Sequence, residues 1–370
     1  MDERAQQFEI HSKTDLFTSK MSFYETMPAW SNCANGSGAI AMTFKVSSVQ
    51  FQHRANDKAY NLGRIEFFTQ QAVLAGSRLV VFPEMCLCGY WHVPKLDGAA
   101  LHALAEPLSG PSMSYVARLA RERAIAIGAG FLESGENGAL YNAYAVCLPD
   151  GQVHCHRKLH AWEHRLIASG DRFTVFDTPW GIRAGILICW DNNLIENARA
   201  TALLGAEILI APHQAGGGHS VSPHGMKRIP VEKWLRRHED PAAIEAEIRG
   251  PNGREWFLRW LPSRAHDNGM FLVFSNGIGQ DEDEVRTGNA MILDPYGLIL
   301  AETWQAADAI ISAEIDLALL DKCTGQRWIR GRRPELYGCL TAPNANGLSP
   351  MEARFSETST RSGSHAEGTL

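Results

Sequence analysis

The chain has no apolar run near the roughly 18–20 residues that a membrane helix needs, so no membrane span is expected. It has no basic surplus. Lys and Arg number 35 against 41 Asp and Glu, a net charge of −6 at pH 7. Without a cationic footprint, nucleic acid is not an expected partner, and the acidic balance speaks for solubility. Cysteine is sparse, eight in 370 residues. No CxxC pair repeats, which argues against a zinc ribbon, and the count is too low for a disulfide scaffold. The opening MDERAQQ lacks the apolar stretch of a secretory leader, so the expected compartment is a reducing cytoplasm. There thiols stay free, and one can act as a nucleophile.

What is present is ordinary globular composition: 45% hydrophobic and 21% charged residues. Residues 1–41 are polar and small with no usable period and read as a loose extension. From Met42 to about residue 340 strands alternate with helices, the signature of a layered α/β domain. In MTFKVSSVQF the apolar positions are Phe44, Val46, Val49 and Phe51, one slip from strict alternation. A helix is expected after Asn56 and Asp57, stopping at Gly76. Others are expected over about 112–123 and 193–204. RLVVF, GIRAGILI and EILIAP read as buried strands. Hairpins mixed with crossovers suggest two packed, mixed sheets. Residues 215–255, rich in Gly, His and charge, are long for a connection and read as an insertion. The tail, 341–370, is expected to be unfolded.

Three polar residues stand just beyond apolar strands: Glu84 after RLVVFP, Lys158 after QVHCHR and Cys189 after AGILI. Strand ends in α/β folds are where sites collect. Singly, each has a bland reading, such as a solvated loop glutamate or a small core thiol. Together they describe a reaction. A turn from strand into helix sets Cys189 near a helix N-terminus, which favours a thiolate. Main-chain N–H groups at that turn can bind an oxyanion. A carboxylate can take the thiol proton and later activate water. An ammonium can hold the charge of a tetrahedral intermediate. The chemistry is attack on an electrophilic carbon, loss of an amine or ammonia, and hydrolysis of a thioester.

FPEMCLCGY, HRKLH and ILICWDNNLIENAR resemble the three signature stretches of the carbon–nitrogen hydrolase (nitrilase) superfamily. SGDRFTVFDTPWGIRAGILIC, ALLGAEILIAP, SRAHDNGMFLVFSNGIG, NAMILDPYGLILAE and RRPELYG match further family segments. The resemblance spans about residues 42–340. It implies Glu84 as general base, Lys158 as oxyanion stabiliser and Cys189 as nucleophile. A second family glutamate corresponds to Glu163, ahead of Gly170-Asp171, where it would orient the lysine or a substrate amino group. The alternative is a surface glutamate beside His164 and Arg165. Glu196 corresponds to a structural family glutamate, paired with Arg199. The implied fold is a four-layer α-β-β-α sandwich, associating as a homodimer or higher homo-oligomer. No metal and no organic cofactor is implied.

Substrate contacts are expected from Trp190, Asp191, His213 and Gln214; the sequence departs from common family forms at residues 192–195 and 211–214. Trp234 and Trp256 are candidate aromatic walls from the 215–255 insertion, and His219 or His224 candidate polar contacts. The alternative for that segment is a mobile surface or interface insertion. Cys86 and Cys88 read as packed thiols, not metal ligands. Cys-Trp-Asp after the nucleophile looks more like amidases and carbamoyl-amine hydrolases than nitrilases. The favoured substrate is therefore a small amide or N-carbamoyl compound, with a nitrile second. A non-catalytic relative working by binding or assembly ranks below both, because all three triad residues stand.

Overall fold

The computed structural model describes residues 43–218, 222–342 and 347–355. The expected N-terminal extension, residues 1–41, and His219 lie outside them. The first half of the chain contributes β1 (Thr43–Gln50), α1 (Lys58–Leu74), β2 (Ser77–Val81), α2 (Gly98–Leu104), α3 (Pro111–Arg123), β3 (Ala126–Ser134), β4 (Leu140–Cys147), β5 (Val153–Arg157) and β6 (Ile167–Ala168). The second half contributes β7 (Thr174–Asp177), β8 (Arg183–Ile186), α4 (Ile195–Leu203), β9 (Ile208–His213), α5 (Val231–Leu235), α6 (Pro241–Arg249), α7 (Arg254–Leu258) and α8 (Leu261–His266). Then follow β10 (Phe271–Asn276), β11 (Ile278–Asp281), β12 (Glu284–Thr287), β13 (Met291–Leu293), β14 (Ile299–Glu302), β15 (Ala309–Asp316), α9 (Ala318–Lys322), α10 (Thr324–Arg330) and α11 (Pro350–Phe355).

One sheet runs β15-β1-β2-β3-β4-β5, with β6 added to β4. The other runs β14-β13-β10-β9-β8-β7, and β11 pairs with β12 as a separate hairpin. Parallel pairs (β1 with β2, β2 with β3, β8 with β9, β9 with β10) sit at the centre of each sheet. Antiparallel strands flank them. The two sheets bury one shared core, with Phe44, Val46, Leu79 and Val81 meeting Ile186, Ile210, Phe271 and Val273. α1 and α3 cover the outer face of the first sheet, and α4 and α8 that of the second. This is the four-layer α-β-β-α sandwich.

The slip in β1 now has a cause. Phe44 and Val46 point between the sheets, while Val49 and Phe51 point under α1 and α3. A strand covered on both faces needs apolar residues of both parities. Hydroxyls tie the sheets together: Ser48 donates to the Phe274 carbonyl and Ser275 to the Val49 carbonyl, both at 2.6 Å. α1 begins where expected, with the Asp57 side chain accepting the Tyr60 N–H at 2.9 Å.

Three expectations are refined. The described part of the 215–255 segment is not bare loop. α5 and α6 bury Trp234, Ile244 and Ile248 against Ile278 and Val285 of the β11–β12 hairpin, giving this region its own core. The helix expected over about 193–204 begins two residues later, at Ile195, and a five-residue 3-10 turn, Cys189–Asn193, precedes it. The tail is not wholly unfolded, since Pro350–Phe355 forms a helix.

Candidate active site

Glu84 lies three residues past β2, Lys158 directly past β5, and Cys189 three past β8. All three strands end at the same edge of the sandwich. The loop carrying Glu84 is pressed onto β3: a Cβ on Gly130 would lie 2.2 Å from the Met85 nitrogen, so only glycine fits there. Met85 takes φ 44° and Cys189 φ 48°, left-handed conformations rare for residues with side chains. Strain of this kind persists only where surrounding contacts hold it, and it collects at functional sites.

Glu84 and Lys158 are fully buried, and Glu163 nearly so. The Lys158 ammonium donates to Glu84 Oε1 at 2.8 Å and to Glu163 Oε1. Asn142 Nδ2 donates to the same two oxygens, at 2.7 and 3.0 Å. Tyr90 donates its hydroxyl to Glu163 Oε1 at 3.2 Å. Glu84 Oε2 is buried with no hydrogen-bond partner among the described residues. One carboxylate oxygen is therefore committed to the ammonium and the other is left as an acceptor.

Electrostatics follow from this burial. Desolvation raises the Glu84 carboxyl above its ordinary range, Lys158 opposes that rise, and Glu163 adds to it. Burial alone would depress the Lys158 ammonium, but Glu163 and Glu84 more than offset it and hold it well above its usual value. The Cys189 thiol is pushed up by desolvation and by the Glu84 charge, against the pull of Lys158 and of the Gln214 main-chain N–H. The net direction is upward, against the thiolate expected from the strand-to-helix turn.

Cys189 opens into a cavity of about 420 Å³. Trp91, Trp162, Trp190, Trp256 and Trp260 line it, and His213, Gln214, Glu284 and Arg286 add polar groups. Trp190, His213 and Gln214 thus take places on the wall. His213 is held neutral, its pKa driven well below the usual value by burial and by Lys158. Its Nε2 lies 3.2 Å from the Asn192 amide nitrogen. Gln214 donates its side-chain amide to the Glu84 carbonyl at 2.8 Å.

Asp191 is a correction. It is buried away from the cavity and accepts main-chain N–H bonds from Leu159, His160 and Ile188 at 3.1, 2.9 and 3.2 Å. It pins the turn carrying Cys189 to the loop carrying Lys158. Trp234 sits in the α5–α6 core and not in the cavity, whereas Trp256 lines it. His224 offers only its carbonyl, to Arg259 at 2.9 Å. Arg199 donates to the Asp267 carbonyl at 2.9 Å and not to Glu196. Cys86 and Cys88 are packed thiols, each pushed up to about 12 by burial.

The sequence reading missed Asn142, Tyr90, Glu284 and Arg286. Asn142 could have been found: a lone amide inside the apolar run YNAYAVCL demands buried partners. Arg286 meets Asp281 at 3.0 Å and donates to the Gln214 carbonyl at 2.8 Å. Asp281 is local, within the same hairpin, but no local pattern signals the Gln214 carbonyl.

The sequence model of one family, described as carbon-nitrogen hydrolase, matches residues 45–324. The chain belongs to the carbon-nitrogen hydrolase family. Among curated relatives, this hydrolase is 34% identical over 263 residues to an "(R)-stereoselective amidase" of Pseudomonas sp., covering 70% of this chain and 80% of the relative. It is 28% identical over 320 residues to an N-carbamoylputrescine amidase of Arabidopsis thaliana, covering 81% and 96%. Among solved structures, the hydrolase superposes on a mutant amidase from Nesterenkonia AN1 with TM-score 0.59 at 20% identity, covering 80% of this chain and 97% of that one. Another structure of the Nesterenkonia amidase, at TM-score 0.60 and 19% identity, covers 82% of this chain and 99% of its own. It shows the acetamide moiety of fluoroacetamide added covalently at its active-site cysteine. These likenesses support hydrolysis of amide C–N bonds by an α/β sandwich enzyme.

Proposed function

We propose that the protein hydrolyses a small amide or N-carbamoyl compound through a Cys189 thioester. The observation that carries this reading is the fully buried Glu84–Lys158 pair, with a free Glu84 oxygen, beside a thiol on a strained turn that opens into the cavity.

The thiol proton passes to Glu84 Oε2 as the sulfur attacks the carbonyl carbon. The carbonyl oxygen becomes an oxyanion, facing the Lys158 ammonium and main-chain N–H groups of the turn. Collapse breaks the C–N bond, and the proton on Glu84 leaves with the amine or ammonia. Water then gives its proton to Glu84 and attacks the thioester. The acid departs, the sulfur regains the proton, and the site is restored. Glu163 and Asn142 hold the ammonium and the base in place. The protein's own groups and the attacking water supply every proton and charge in this scheme. The reaction belongs in the reducing cytoplasm, where Cys189 stays a thiol.

An ammonia-release screen over amides, carbamoyl amines and nitriles tests the reading. The expected outcome is turnover of amides or carbamoyl amines, abolished in Cys189→Ala and after thiol alkylation, and unchanged by chelators. Turnover confined to nitriles would move the substrate to the second reading. Amide turnover that survives Cys189→Ala would end the thioester mechanism.

A further inference from the structure

α11 lies beyond the residues that match the family, yet it supplies part of the cavity wall through Ala353 and Arg354. A reciprocal cap nucleates it. The Ser349 N–H and hydroxyl meet a Glu352 carboxylate oxygen at 2.8 and 2.7 Å, and the Glu352 N–H lies 3.2 Å from the Ser349 hydroxyl. Trp162 is its anchor. Met351 packs against the cluster holding that indole, and Phe355 meets it edge-on with centroids 5.8 Å apart.

Arg354 lies over the same indole, its guanidinium carbon 5.0 Å from the ring centroid. Lys158 Nζ lies 5.6 Å from that centroid. One ring thus links the reacting centre to Arg354, and the two cations are no farther apart than those two distances together. The other charged groups of the wall are paired. Arg286 meets Asp281 at 3.0 Å, and Glu284 sits between Arg228 at 3.2 Å and Arg286 at 3.5 Å. Among the described residues, no carboxylate lies within ion-pair distance of Arg354. A cation stacked on an aromatic face keeps its N–H donors free, because the stacking uses the plane and not the hydrogens. A guanidinium held this way on an indole-lined wall suits the forked recognition of a carboxylate.

We propose that Arg354 is a specificity-determining residue: it receives the carboxylate of an acid-bearing amide whose scissile C–N bond lies at Cys189. The proposal rests on the hydrolase reading of Cys189 and names the substrate class that reading leaves open. It makes α11 a strap that carries selectivity, built from chain outside the family domain.

Two measurements on the full chain test it. The first compares kcat/KM for the monoamide of a short dicarboxylic acid with that for the uncharged amide of equal length. In Arg354→Gln the ratio should fall about tenfold or more, the scale of one charge-assisted hydrogen bond. KM should carry most of the change, and Arg354→Lys should restore part of it. An unchanged ratio overturns the proposal. The second compares alkylation of Cys189 by iodoacetate with that by the uncharged iodoacetamide, read by peptide mass mapping. It needs no turnover. The iodoacetate-to-iodoacetamide ratio should fall about threefold in Arg354→Gln. If wild-type protein turns over neither amide, the ammonia-release screen decides the hydrolase reading separately. The alkylation ratio then decides for or against Arg354.

Discussion

Asn142 contributes one amide nitrogen to two carboxylates, and so holds Glu84 and Glu163 on the same side of the Lys158 ammonium. Its hydrogen bond favours the charged form of Glu84, against the burial that raises its pKa. Removing it in Asn142→Ala should raise that pKa further. Because Glu84 must be ionised to take the thiol proton, the acid limb of the kcat/KM profile should then move to higher pH. A limb that stays in place would separate Asn142 from the base. Glu84→Gln removes the base itself. Its kcat should fall about 100-fold or more, measured by ammonia release on whichever amide the wild type takes. Lys158 is held well above its ordinary value by two carboxylates, so loss of its proton should not set the alkaline limb. Glu84, Lys158 and Cys189 were legible in the sequence because reactive types after apolar strands stand out against their neighbours. Tyr90 was not, since its partner Glu163 is distant in the chain; Arg286 pairs with Asp281 within its own hairpin, and only its bond to the Gln214 carbonyl, from a distant stretch, ties it to the cavity wall.

The 3-10 turn Cys189–Asn193 stands between β8 and α4 and carries the thiol at φ 48°. Desolvation there raises the thiol's pKa, against the thiolate that a helix N-terminus would favour. Asp191 is what holds the turn. Asp191→Ala would leave three main-chain N–H groups without an acceptor, at a cost of about 3 kcal/mol or more. Urea unfolding should show this as a lower midpoint with an unchanged slope. Its place beside the nucleophile suggested a substrate contact, because sequence position cannot say which way a side chain points. The α5–α6 region carries a similar lesson. Its richness in Gly, His and charge suggested an insertion, but Trp234, Ile244 and Ile248 are buried. Trimming it should therefore lower stability as well as alter substrate choice. Trp256→Ala, which removes a cavity wall that also packs against the core under α7 and α8, should shift relative rates across an amide panel and lower the melting temperature modestly.

At the scale of the molecule, the two sheets share one core and present their strand ends to a single cavity. Exposed apolar side chains remain on the second half of the sandwich, among them Ile195, Leu204, Leu298 and Trp328. Burying them against a second copy fits the homo-oligomer expected from the family resemblance. Sedimentation should report a mass at least twice that of the chain. A monomer at micromolar concentration would remove that expectation. Among the described residues no helix is long and apolar enough to cross a membrane.

The sequence by itself determined an α/β chain with packed sheets and three reactive residues, Glu84, Lys158 and Cys189, just past apolar strands; the resemblance of its motifs to a family implied the four layers and the class of bond attacked. The first part rests on local pattern: apolar runs set strands, capping residues set helix ends, and reactive residues stand at the junctions. Only the tertiary structure decided which oxygen of Glu84 is free, that Asp191 is a clamp, and that Arg354 reaches the cavity from the far end of the chain. Those facts depend on where side chains from separate stretches meet, and on the burial that sets their charge. No stretch of the chain carries that information alone.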